Sequence, residues 1–185
     1  MDEFKQAKSE HGSDYIFECV LEEWKAKLDK LGFCDPDIYF SGFSYQGDGA
    51  CFEAECDLKE IIKELDTKKY RHFLPFIEAG EITYTIEKNS CGNHYNHERT
   101  RYIDVDYPFW HGRRPRLVAL CESLKEDLEE LRYDLSHELY KALENKYWHT
   151  LSDEVIKEDI LCNGYVFFEN GEFAHPTLIK GRQEV

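Results

Sequence analysis

Three groups of side chains in this sequence have types and spacings that could do chemistry. Cys91, His94 and His97 fall in one polar segment, Asn89 to Thr100, at spacings that would bring a thiolate and two imidazoles around a zinc ion. Zinc asks for four ligands, and no fourth stands at a matching spacing, so an Asn-, Gly- and His-rich loop explains the same residues and no metal or other cofactor is expected. The turn Gln46-Gly47-Asp48-Gly49 holds a carboxylate, Asp48, that could serve as a general base or a cation ligand. Both roles need companions that the neighbouring residues do not supply, whereas Asp-Gly flanked by apolar runs is a strong hairpin signal. The turn is too short for a phosphate-binding P-loop and has no lysine. Third, Arg113, Arg114 and Arg116, beside Trp110 and His111, form the one basic cluster, with Arg99 and Arg101 shortly before it. They could clamp an anion through bidentate contacts, but pairing with the acids Asp104 and Asp106 is the favoured reading. No GxSxG, HExxH, Walker, Rossmann or kinase pattern occurs, and no residue is assigned a catalytic role; a non-enzymatic protein is the favoured reading.

Charge points elsewhere. Thirty-eight acids stand against 23 Lys and Arg, a formal net charge of −15, which disfavours direct binding to nucleic acid. From Leu117 to Tyr147 apolar residues recur every three or four positions, and the same stretch carries eight carboxylates, among them Glu122, Glu126, Glu129, Glu130 and Asp134. Eight carboxylates along about 33 Å of helix approach the ~3.4 Å phosphate spacing of a single strand. Lys125, Arg132, Lys141 and Lys146 interleave with them, as on an ordinary solvated helix face with i,i+4 pairs. The sharper reading makes the acidic residues a contact surface for a partner with a basic surface.

These groups must be positioned by an α+β fold. Phe17, Val20, Leu21, Trp24, Leu28 and Leu31 mark an amphipathic helix over 14–31, with Ser13 or Asp14 as its cap and Gly32 as its stop. Asp37 to Ser44 and Ala50 to Cys56 read as a hairpin around the 46–49 turn. A short helix starts near Asp57, and KKYRHFLPFIEAG reads as a helix interrupted at Pro75. Ile82, Tyr84 and Ile86, then Ile103, Val105 and Tyr107, alternate with polar residues as two half-buried strands. Pro115 opens a helix of about thirty residues that either breaks near Ser136 or overhangs and packs on a second copy as a homodimer. Ser152 to about Leu161 is a last helix, followed by a short strand or hairpin from Tyr165 to Phe173 with a turn at Asn170-Gly171. The expected architecture is a four-stranded antiparallel sheet, helices packed on one face, and a long C-terminal helix, in one domain over 14–176 between flexible tails 1–13 and 177–185. Seven cysteines without a CxxC pair suit reduced thiols, most of them in the core. No window is apolar enough to span a membrane, and the start is polar, so a cytoplasmic location is expected.

Two segments carry a family likeness. DIYFSGFSYQGDGACFEA resembles the FSGF-xx-QGDGA-x-F signature of a widespread family of phage and prophage proteins, some of them labelled antitoxin-like. LENKYWHTLSDEVIKEDILCNGYVFFENGEF is similar to the end of that family, with Ser152-Asp153-Glu154 keeping its Ser-Asp-Glu portion. The resemblance implies phage or mobile-element origin and supplies no catalytic residue. By analogy of context and charge it implies a non-catalytic inhibitor of a host defence complex, of anti-CRISPR or antirestriction type, acting by direct contact in the host cytoplasm. An antitoxin that neutralises a toxin is the alternative, as is a small-ligand protein or enzyme with Asp48, His94, His97 and Arg113 gathered in a deep pocket at the sheet edge.

Overall fold

A computed structural model describes residues 13–65, 67–88, 96–106, 115–171 and 174. The chain divides into two compact units, one of residues 19–143 and one of residues before 19 and after 143. The elements in order are α1 (Ser13–Lys30), β1 (Phe33–Ser41), β2 (Gly49–Cys56), α2 (Leu58–Glu64), α3 (Thr67–Tyr70), a 3₁₀ turn (Arg71–Phe73), α4 (Leu74–Glu78), β3 (Thr83–Lys88), a second 3₁₀ turn (Glu98–Thr100), β4 (Arg101–Asp106), α5 (Pro115–Thr150) and α6 (Asp153–Asn163).

In the first unit the four strands form an antiparallel meander in the order β1-β2-β3-β4. Strand alternation sends Ile38, Phe52, Ala54, Tyr84, Ile86, Ile103 and Val105 to one face. There they pack with Leu28 of α1, Ile61 and Ile62 of α2, Tyr70 and Phe73, and Leu124, Leu128 and Leu135 of α5. This is the α+β arrangement read from the sequence. Phe33 meets Phe52 edge to face at 5.2 Å, and the buried Tyr84 hydroxyl donates to the Cys121 carbonyl at 3.1 Å, so its one polar atom is satisfied inside the core.

β1 begins at Phe33, earlier than the sequence pattern indicates, because a bulge between Cys34 and Asp37 carries pairing past Asp35 and Pro36. Asp35 takes a positive φ of 48° and donates its backbone N–H to the Asp29 carboxylate at 3.1 Å. Gly32, at φ 96°, closes α1, and a Cβ there would stand 2.8 Å from the Asp57 carbonyl, so only glycine lets α1 turn into β1 against the start of α2. Asp57 caps α2 by accepting the Lys59 N–H.

Pro75 does not break a helix. It occupies the first turn of α4, where its missing N–H costs nothing, and the interruption falls earlier, at the Arg71–Phe73 turn. Nor does α5 break near Ser136: it runs unbroken for 36 residues, since no Gly or Pro follows Pro115 in that stretch. In the second unit, Ser152 caps α6 through the Val155 N–H, and Gly164 ends it in the left-handed conformation, φ 62°. Of the strand or hairpin expected over Tyr165 to Phe173, the described part is a bridge at Phe167, a turn in which Gly171 N–H donates to the Phe168 carbonyl, and a bond from Ala174 N–H to the Val166 carbonyl. Of the expected tails, 1–13 and 177–185, residues 1–12 and 177–185 lie outside the described residues, as does Tyr107, while Ser13 belongs to α1. Of the cysteines, Cys51 and Cys121 are buried, Cys34 and Cys56 are partly so, and Cys19 and Cys162 are exposed.

Candidate functional site

The end of the β1–β2 hairpin is held from several sides. Asp48 Oδ2 accepts the backbone N–H groups of Ser44 and Tyr45, each at 2.7 Å, and Asp48 N–H donates to the Tyr45 carbonyl. A carboxylate so placed organises its own turn. Ser41 Oγ donates to the Asn96 carbonyl at 3.1 Å, and a Cβ on Gly49 would fall 2.8 Å from the His97 ring and 3.0 Å from its Cα, so glycine is required for the 96–97 segment to lie this close. Phe40, Phe43 and Tyr140 of α5 stack in sequence at 6.0 and 5.7 Å. Tyr45 projects from the tip, 81% exposed, and an open depression there is lined by Tyr45, Gln46, Gly47 and Asp48.

Asp48 and His97 therefore come to the same hairpin end, but each side chain serves backbone. His97 caps the second 3₁₀ turn: its Nδ1 accepts the Arg99 N–H, while Thr100 Oγ1 accepts the His97 N–H. The same Nδ1 lies 3.0 Å from Glu98 Oε2, a contact that is favourable only when the nitrogen carries the proton. Cys91, His94, Trp110, His111, Arg113 and Arg114 lie outside the described residues. Among the described residues no three His, Cys, Asp or Glu side chains are grouped as metal ligands. Arg116 is exposed and makes no ion pair with them.

The arginine that matters structurally is Arg101, and its partner is Glu53 rather than Asp104 or Asp106. Its Nε sits 2.8 Å from Glu53 Oε1, too poorly aligned for a hydrogen bond but close enough for an ion pair; its NH1 donates to Thr100 Oγ1, and its guanidinium lies 5.0 Å from the Tyr39 ring centroid. The side chain is 1% exposed. Arg132 is a second buried cation. Its NH1 donates to the Glu98 carbonyl at 2.6 Å and its Nε and NH2 to Glu129 Oε2, while Glu129 Oε1 accepts the Ile103 N–H at 2.7 Å. One Glu–Arg pair of α5 thus satisfies backbone groups of β4 and of the turn before it. Both arginines are detectable in the sequence as charges on an apolar register: Arg101 two before Ile103, and Arg132 four after Leu128.

On α5 the acidic candidates divide. Glu122, Glu126, Glu130 and Asp134 are exposed. Glu126, Glu130 and Asp134 make no ion pair among the described residues, and at i,i+4 spacing they step about 6 Å along the axis. Glu129 does not belong with them, being turned inward to Arg132 and β4. Asp127 is also engaged, accepting from the Tyr70 hydroxyl and from Lys69 at 2.9 Å. Burial pushes the Asp127 carboxyl up, but these donors outweigh it and hold its pKa below the ordinary value.

A family model described as a domain of unknown function (DUF8835) matches residues 16–153, well over half of the chain, and the chain belongs to that family. No curated protein and no solved structure matches it. Among the described residues no helix is long and apolar enough to cross a membrane.

Proposed function

We propose that this protein is a non-catalytic, acidic binding protein that presents the exposed carboxylates of α5 to a basic protein surface, and that its partner is a host defence protein whose nucleic-acid groove it occupies. The observation that carries this reading is the ridge Glu126, Glu130, Asp134: three exposed carboxylates at 6 Å steps without an ion pair among the described residues, on a chain of net charge −15. Such a ridge steers and orients a positively charged groove, and its strength falls with salt. The engagement of Asp48 and His97 with backbone weighs against an enzymatic role for the hairpin end. The phage-protein resemblance supplies the defence context.

The test is affinity capture by the tagged protein from a defence-bearing bacterial host, at low and at moderate salt, read by mass spectrometry. A single nucleic-acid-binding defence protein, recovered at low salt and depleted at least tenfold at moderate salt, is the expected result. Recovery of a partner indifferent to salt overturns the reading.

A further inference from the structure

Around the turn that precedes β4, charges are matched except at one residue. Buried Arg101 of β4 has Glu53 of β2 at 2.8 Å, buried Arg132 of α5 has Glu129 at 2.8 Å, and Asp48 of the hairpin accepts the N–H groups of Ser44 and Tyr45. Cys51 of β2 stays a neutral thiol, since burial pushes its pKa up. Glu98, its side chain only 10% exposed, has no lysine or arginine partner among the described residues, and Arg99 beside it is exposed. The group that faces the Glu98 carboxylate is His97, with Nδ1 3.0 Å from Oε2. That same nitrogen accepts the Arg99 N–H at 3.2 Å, a donor with no other acceptor among the described residues. One nitrogen cannot serve both groups at once: it accepts from Arg99 only through its lone pair, and it donates to Glu98 only when it carries a proton.

We infer that His97 is a proton-operated switch of the Glu98–Thr100 turn: unprotonated at Nδ1 it caps the turn through Arg99, and as the imidazolium it pairs with Glu98 and leaves the Arg99 N–H uncapped. A neutral ring can place its hydrogen on Nε2 and keep Nδ1 as an acceptor, whereas the imidazolium carries hydrogen on both nitrogens and has no lone pair to offer. Imidazoles as a class make this change between about pH 8 and pH 5. The imidazolium gives the buried Glu98 carboxylate the cation it otherwise lacks, and the lost cap offsets that gain. The other half of the cap, Thr100 Oγ1 accepting the His97 N–H, does not titrate, so the turn loosens rather than dissolves. The turn is a junction. The His97 ring lies against Gly49, where a Cβ would not fit, and the Glu98 carbonyl accepts from Arg132 of α5, so the proton acts where the hairpin end, β4 and α5 meet.

Nuclear magnetic resonance on the full ¹⁵N-labelled chain from pH 8 to pH 5 tests this, reading the His97 ring nitrogens and the protection factor of the Arg99 amide, which removes the intrinsic pH dependence of exchange. As the His97 ring takes up its proton, Arg99 protection is expected to fall about fivefold with the same midpoint. A downfield Nδ1–H resonance of His97 appears at the acidic end and is missing in Glu98→Ala. In His97→Asn, whose side-chain oxygen caps without titrating, Arg99 protection stays constant across the range. Arg99 protection that is unchanged while the His97 ring titrates, or a ring that takes up no proton above pH 5, overturns the inference on wild type alone, whether or not the variants fold. A fall in Arg99 protection that persists in His97→Asn overturns it as well.

Discussion

Asp48 carries the strongest chemical suggestion in the sequence, a carboxylate between two glycines, and its oxygen ends up against the N–H groups of Ser44 and Tyr45. Replacing it by alanine leaves two backbone donors without their acceptor, and Asp48→Ala is expected to lower stability by about 1–2 kcal/mol in urea denaturation, with Asp48→Asn lowering it less. Asp127 supplies a pH signature. Its pKa is lower in the folded state than in the unfolded chain, so the stability it contributes is present above the unfolded value, near 4, and is lost as pH falls through the folded value. Melting temperatures followed down to about pH 2 should fall less steeply for Asp127→Asn than for wild type. Turn chemistry at Asp48 was readable because it is local. The pairings of Arg101 with Glu53, Arg132 with Glu98, and Tyr70 with Asp127 join residues far apart in the chain, and only their unusual register hinted that they were buried.

At the scale of elements, periodicity located the packing faces of α1, β2, α2, β3, β4 and α5, because burial imposes periods of 3.6 and 2 on the choice of residue. It failed where a local rule competed with tertiary context. The pattern starts β1 at Asp37, yet the bulge carries its pairing back to Phe33; Pro75 reads as a breaker, yet it starts α4. The role of α5 in closing the β4 edge was not readable, since Glu129 looks like one more surface acid. Removing it with Glu129→Ala deprives the Ile103 N–H of its acceptor and leaves Arg132 with less to hold it. Amide hydrogen exchange at Ile103 is expected to quicken about tenfold or more, with the β1–β2 amides unchanged. Unchanged exchange at Ile103 would mean that the edge is protected by something other than this clamp.

For the molecule as a whole, the net charge of −15 was legible from composition, but its distribution was not. Exposed acids occur on most elements among the described residues; one group lies along α5, at Glu126, Glu130 and Asp134, and another on the open face of the sheet. Sequence spacing pointed to the first, since i,i+4 repeats are visible along a helix. The second needed strand register, which brings Glu55 and Asp104 into one row through Thr85. The proposed contact through α5 predicts association that weakens with salt. The most direct test of the central claim is the affinity of the Glu126→Lys, Glu130→Lys, Asp134→Lys variant for the captured partner, measured beside wild type at two salt concentrations. The account predicts a loss of at least tenfold at low salt, narrowing as salt rises; equal affinities at both concentrations would contradict it.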